Sequence, residues 1–255
     1  MIARLLVFTL ALCSYPMAQA ADNRDRYEAR EHKQGDFVLP YRLLKPKDYD
    51  PKQKYPLVLF LHGAGERGVD NEKQLIHGLN DFAADEIVAK YPAFVVAPQC
   101  PVGKKWVEVD WSADSHVIPA KPSVPLAASL ELLDSIAKEF SIDADRVYIT
   151  GLSMGGYGVW DALAREPQRF AAAAVVCGGG DPAQADKMKG VPIWAFHGDE
   201  DTAVKPKRSR EMIAALKAAG GEPKYTEYPK TGHNSWAKTY SDPALYEWLF
   251  AQKRK

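Results

Sequence analysis

Three cysteines in 255 residues are too few for a disulfide framework, so an ordinary apolar core must hold the fold. Charge of either sign is not in excess, because 33 lysines and arginines balance 33 aspartates and glutamates. That balance leaves no electrostatic footprint for nucleic acid or an anionic membrane surface. None of the six histidines is paired in an H-E-x-x-H pattern, which counts against a metal hydrolase, and no motif asks for a cofactor. Internal repeats, low-complexity tracts and linkers are absent. So are apolar runs of about 18 residues or more, the length a membrane span requires.

The apolar stretch that is present carries a targeting signature. Arg4 precedes Leu5–Leu12, and Ala18-Gln19-Ala20 supplies small residues in front of a cleavage site. A secretory signal peptide over residues 1–20 is predicted, with cleavage after Ala20 and a secreted or periplasmic destination. Leu12 is bulky for a lipoprotein site at Cys13. Cleavage removes Arg4 and no acid, leaving a net charge of −1. Residues 21–36 are polar and read as a flexible start. Residues 37–255 are long enough for one well-buried domain.

Within that domain, Leu57–Leu61, Ala93–Ala97, Val147–Thr150, Ala171–Val176 and Ile193–Phe196 are continuous apolar runs, the pattern of strands covered on both faces. Lys224–Tyr228 alternates and reads as an edge strand. Ser123 offers an N-cap for a helix from Leu126 to Phe140. Further helices are predicted over Gly155–Arg165, Arg208–Ala219 (stopped by Gly220-Gly221) and Pro243–Phe250. Strands alternating with helices predict a single α/β domain with a mainly parallel central sheet and helices on both faces. Gln99–Pro125 breaks the alternation and holds Trp106, Trp111 and His116. A long connection leaving the carboxyl end of a strand is placed to form a wall of a ligand site.

The chemistry centres on Gly151-Leu152-Ser153-Met154-Gly155, between a strand and a helix. A serine hydroxyl is a poor nucleophile unless its geometry is forced, and this turn forces it. Activation needs a base, an acid to orient the base, and donors for the developing oxyanion. His233, in the turn between the last strand and the last helix, is the base candidate. His77 and His116 precede the serine, and His32 lies in the polar start. The acid should follow the Ile193–Phe196 strand, where Asp201 can curl back toward an imidazole; Asp199 is the alternative. His62-Gly63-Ala64-Gly65, after the Leu57–Leu61 strand, can aim the N–H of Ala64 or Gly65 into the site, beside that of Met154. His62 reads as orienting this loop, and Glu66-Arg67 as a surface ion pair at a helix start.

These residues resemble the α/β-hydrolase superfamily, and within it the polyhydroxybutyrate depolymerase-like, feruloyl esterase-like and dienelactone hydrolase-like serine esterases. The segments that carry the resemblance are Gly-Leu-Ser-Met-Gly-Gly, 61–68, 177–180, 194–198 and 232–236. It covers about residues 37 to 250 and implies Ser153 as nucleophile, Asp201 as acid, His233 as base, and Ala64 and Met154 as oxyanion donors. Many relatives have further N-terminal strands, for which this chain has no room. The short connection from Val176 to Ile193 leaves no space for a cap domain. An open, shallow site follows, suited to an exposed ester on a polysaccharide, a polyester or another large molecule. Trp106, Trp111 and Trp236 are candidates to line a substrate subsite. A serine peptidase of the prolyl-oligopeptidase-like branch would use the same triad but usually needs a gating domain. A non-catalytic binding protein on this fold would have lost a triad member, and none is lost.

Cys100 and Cys177 each end an apolar run. In the strand order of this fold two strands lie between theirs, which puts them roughly 14 Å apart at about 4.8 Å per strand. A disulfide needs Cα atoms within about 7 Å. An Ellman titration of the unfolded mature chain should therefore count two free thiols; a count of zero would show them to be paired.

Overall fold

The computed structural model describes residues 22–254. The predicted signal peptide lies outside the described residues. Eight strands form one sheet: β1 (Glu28–Gln34), β2 (Phe37–Leu44), β3 (Tyr55–Leu61), β4 (Phe94–Pro98), β5 (Ile142–Leu152), β6 (Ala172–Val176), β7 (Ile193–Gly198) and β8 (Lys224–Tyr228). Their spatial order is β1-β2-β4-β3-β5-β6-β7-β8. The first two strands pair antiparallel to their neighbours, and every other pairing is parallel. The helices are α1 (Leu79–Phe82), α2 (Asp85–Lys90), α3 (Val124–Glu139), α4 (Met154–Arg165), α5 (Ala185–Met188), α6 (Lys207–Ala218), α7 (Trp236–Tyr240) and α8 (Pro243–Ala251).

All seven residues of β3 and all five of β4 and β6 are buried, as strands covered on both faces must be. On one face Leu126, Leu130 and Ile136 of α3, Val159 and Leu163 of α4, and Met212 and Leu216 of α6 share a core. On the other face Phe82 of α1, Ile87 of α2, Tyr240 of α7 and Leu249 of α8 share a second. Burying each such Leu or Phe side chain contributes about 1.5–3 kcal/mol. Ser123 caps α3 by accepting the Leu126 N–H, which satisfies one of the orphan donors of that helix.

The start of the chain departs from the expectation of a flexible segment over 21–36. Glu28–Gln34 is the outer strand of the sheet, paired residue for residue with β2 from Glu28↔Leu43 to Gln34↔Phe37. Its sequence, EAREHKQ, has no apolar alternation, so backbone pairing and side-chain ion pairs hold it instead. Arg30 reaches Glu139 of α3 at 2.7 Å and Glu28 at 3.1 Å. The chain therefore does have room for N-terminal strands, and the sheet begins before residue 37. Cys100 and Cys177 are both buried and unpaired, with β3 and β5 between the strands that carry them.

Backbone of α4 and β3 comes very close where α4 starts. A Cβ on Gly155 would stand 1.9 Å from the Leu61 carbonyl oxygen at the end of β3. Backbone on that side cannot yield as a flexible side chain could. Gly155→Ala is therefore expected to destabilise the protein by about 3 kcal/mol or more, read as a lowered urea midpoint. An unchanged midpoint would mean that the β3–α4 contact is not tight.

Candidate active site

β5 ends at Leu152 and α4 begins at Met154, so Ser153 alone makes the turn. It does so with φ 52° and ψ −117°, a left-handed conformation that costs a residue with a side chain on the order of 1–3 kcal/mol. The turn is held by the Ser153 N–H, which donates to the Val176 carbonyl at 2.9 Å. Met154 opens α4, so its N–H is among those that a helix leaves without an intrahelical acceptor. The helix also turns its positive end toward Ser153.

Two other strand exits bring partners to this point. His233 follows β8, and its Nε2 lies 2.8 Å from Ser153 Oγ. Its Nδ1 lies 2.7 Å from Asp201 Oδ2, in the loop after β7. Asp199 lies elsewhere, its Oδ1 accepting the Thr231 N–H at 3.2 Å. The Asp201 carboxylate is itself held by three groups. Oδ1 accepts the N–H groups of Ala203 and Val204 at 2.9 and 3.0 Å, and fully buried His197 approaches Oδ2 to 3.2 Å. Burial alone would raise the pKa of this acid. Hydrogen bonds from His197, His233 and Val204 outweigh that effect and hold it well below the usual carboxylate range. Asp201 thus stays ionised and can fix the tautomer of His233 and stabilise its imidazolium.

The loop after β3 closes the other side. Gly63 and Ala64 lead into a short 3-10 turn over Ala64–Glu66. A Cβ on Gly63 would come within 3.7 Å of Ser153 Cβ, so this backbone lies beside Ser153. Fully buried His62 fixes the loop. Its Nδ1–H donates to the Gly63 carbonyl at 2.6 Å, and its Nε2 accepts the Cys100 N–H at 2.9 Å. Both nitrogens are committed in the neutral tautomer, and burial lowers the pKa of the ring to about 4.

Trp106 is not placed to meet a substrate. It is fully buried, and its Nε1–H donates to the His62 carbonyl at 2.9 Å, so it is a core residue that supports the loop. The indole N–H was the signal for this role, since a buried tryptophan needs an acceptor. Trp111 is half-buried, with Arg67 and Lys105 stacked over its ring. Trp236 is half-buried and packs edge-on against His233, with His77 on another side. Glu66 and Arg67 do not form a surface ion pair. Glu66 is buried, its pKa raised by that burial, and faces His77 at 3.7 Å. Arg67 donates to the Ala64 carbonyl at 2.9 Å. His116 meets the Arg208 guanidinium at 2.6 Å, far from any role as base. Cavities of about 450 and 540 Å³ open beside Val147 and Pro192 at the opposite ends of the strands, and neither touches Ser153.

A parallel sheet with helices on both faces and a strained serine between strand and helix, facing a histidine and a buried acid, is the architecture of an α/β-hydrolase. Residues 39–242 match the family model described as "Putative esterase", and the chain belongs to that esterase family. The crystal structure of a thermostable esterase is similar at 41% identity with a TM-score of 0.85, over 91% of this chain and 64% of that one. The feruloyl esterase module from Clostridium thermocellum shares the fold at 16% identity and a TM-score of 0.66, over 89% of this chain and 88% of that one. The bifunctional acetylxylan esterase/xylanase of Neocallimastix patriciarum is 28% identical over 57% of this chain. An uncharacterized secreted protein of Arthroderma benhamiae is 26% identical over 83% of it. This chain spans 19% and 26% of the lengths of those two proteins, respectively.

The neutral His62 makes stability pH-dependent. Its folded pKa, about 4, lies below the unfolded value of 6.5. The unfolded state therefore binds more protons between those values, and the stabilisation present above pH 6.5 is lost as pH falls toward 4. The urea midpoint should fall more steeply over that window in the wild type than in H62Q. Parallel curves would mean that His62 does not carry the effect.

Proposed function

We propose that the protein is a secreted or periplasmic serine carboxylesterase that works through an acyl-enzyme, with Ser153 as nucleophile, His233 as base and Asp201 as the acid that orients it. The observation that carries this reading is the continuous chain from Asp201 Oδ2 through both His233 nitrogens to Ser153 Oγ, at 2.7 and 2.8 Å. In the first half-reaction Ser153 Oγ attacks the ester carbonyl while His233 Nε2 takes its proton. The carbonyl oxygen becomes an oxyanion, for which the N–H groups of Ala64 and Met154 are the donors. His233 then protonates the leaving alcohol. In the second half-reaction water attacks the acyl-enzyme with His233 again as base, and the acid product leaves Ser153 free.

Esters borne on polymers or other exposed substrates fit the short β6–β7 connection, Cys177–Pro192, which holds only a 3-10 turn and the one-turn helix α5 and builds no lid. Trp111 and Trp236 are the aromatic surfaces available to the acyl or alcohol group. Secretion is supported by the N-terminal pattern Arg4, Leu5–Leu12 and Ala18-Gln19-Ala20. No helix among the described residues is long and apolar enough to cross a membrane.

S153A is expected to abolish turnover of p-nitrophenyl acetate and covalent labelling by a fluorophosphonate. D201N should lower kcat by on the order of 10⁴-fold. Full activity in S153A would remove Ser153 from the reaction. Comparing short and long p-nitrophenyl esters, methyl ferulate, acetylated xylan and hydroxybutyrate oligomers then ranks the acyl and alcohol groups. A peptide p-nitroanilide cleaved faster than every ester would make the enzyme a peptidase.

A further inference from the structure

Behind Ser153, three donor atoms of different chemistry converge. Cys177 Sγ, a carboxylate oxygen of Asp201 and a ring nitrogen of His233 all lie within 4.8 Å of one another. They come from the exits of three adjacent strands, β6, β7 and β8. Cys177 is fully buried and sits at φ 40°, directly after β6. Asp201 is prepared as a ligand, because two backbone N–H groups occupy Oδ1 while Oδ2 faces the ring. His197, against the same Oδ2, orients that carboxylate from behind, as groups outside a metal's own ligand set commonly do. The His233 side chain keeps 27% of its surface exposed and gives an entry path along the ring.

We propose that Cys177, Asp201 and His233 form an inhibitory site for a thiophilic divalent cation such as Zn²⁺. Thiolate, imidazole and carboxylate are the donor types zinc takes, and three protein ligands leave its fourth position to water. Thiolate and carboxylate together carry two negative charges against the two positive charges of the ion, so the buried site is neutral overall. Ligands about 2.0–2.3 Å from a tetrahedral ion stand roughly 3.3–3.8 Å apart. The 2.7 Å between Nδ1 and Oδ2 therefore opens a little, and the thiol closes in.

Protons balance simply. The ion takes the place of the Nδ1 proton, which moves to Nε2, and the Cys177 thiol releases one proton to solvent. Nε2 then presents an N–H to Ser153 Oγ and has no lone pair to accept the serine proton. The base is switched off while Ser153 itself is untouched. Loss of turnover rests on the triad reading above, whereas binding of the ion does not.

The test has two arms, both in a C100S background that leaves Cys177 as the sole thiol of the mature chain. In the first, S153A is titrated with Cd²⁺ and the near-ultraviolet thiolate-to-cadmium absorption is followed. One equivalent should produce it, and C177S or C177A should lose it. In the second, Zn²⁺ inhibition of p-nitrophenyl acetate hydrolysis is measured against each variant's own metal-free rate. The inhibition constant should weaken at least about tenfold in C177S, with Mg²⁺ inert throughout. Equal inhibition of C177S, or no thiolate absorption at stoichiometric Cd²⁺, overturns the site. If the esterase reading itself fails, no variant turns over the ester, and the absorption arm still decides the binding.

Discussion

The contact between Gly155 and the Leu61 carbonyl governs the geometry of the site. It joins the first turn of α4 to the end of β3 with no space for a single methyl group. Because the loop Gly63–Ala64 leaves β3 just after Leu61, the same contact sets the distance between that loop and the serine turn. Ser153 is forced into a left-handed backbone by the crossing, since the chain must reverse from strand to helix within one residue. A strained residue persists only where its surroundings over-determine it. Here they do so through the Ser153 N–H bond to Val176 on one side and the α4–β3 contact on the other.

Around this frame, burial gives two histidines opposite properties. His62 is enclosed, commits one nitrogen as donor and the other as acceptor, and is held neutral, so it serves as a fixed brace between Gly63 and Cys100. His233 keeps a solvent-facing edge and has the buried Asp201 carboxylate on Nδ1. The difference lies in burial and in the partners. The Gly63 carbonyl by itself favours a charged His62, but full burial outweighs it and the Cys100 N–H occupies Nε2, whereas His233 is half-buried and faces the Asp201 carboxylate, itself held by two N–H groups and His197.

Strand exits were legible from sequence because parallel strands buried on both faces leave continuous apolar runs, and the order of serine, acid and histidine along the chain followed. Asp201 was preferred for its distance past the strand with Asp199 left as the alternative, and Asp201 is the carboxylate that meets His233. β1 was not legible, since EAREHKQ carries no periodic apolar signal and depends on its partner strand and on Glu139, 109 residues away. The short helices α1, α2 and α7 escaped for a similar reason, being turns shaped by what they pack on rather than by their own periodicity. Trp106 was misplaced because a tryptophan in a proline-rich loop reads as surface. Its burial depends on an acceptor, the His62 carbonyl, that only the folded chain brings to it. Glu66 hid likewise, its neighbour Arg67 suggesting an ion pair that the Ala64 carbonyl outcompetes.

The Gln99–Pro125 connection shows how a long segment without regular structure can still be fixed in place. Arg208 donates to the Ala113 carbonyl and meets His116, Arg165 donates to Pro119, Ile118 donates to Asp181, and Ser123 donates to Trp106. Arg67 and Arg208 form no ion pair with a carboxylate among the described residues, and their charges are taken up by carbonyl oxygens and aromatic rings instead. A loop whose Ala113 carbonyl solvates the buried Arg208 guanidinium cannot lift away without stranding that charge, so it behaves as a wall and not as a lid. Its inner anchor, Trp106, is fully buried, and half-buried Trp111 packs against the same core with Arg67 and Lys105 over its ring.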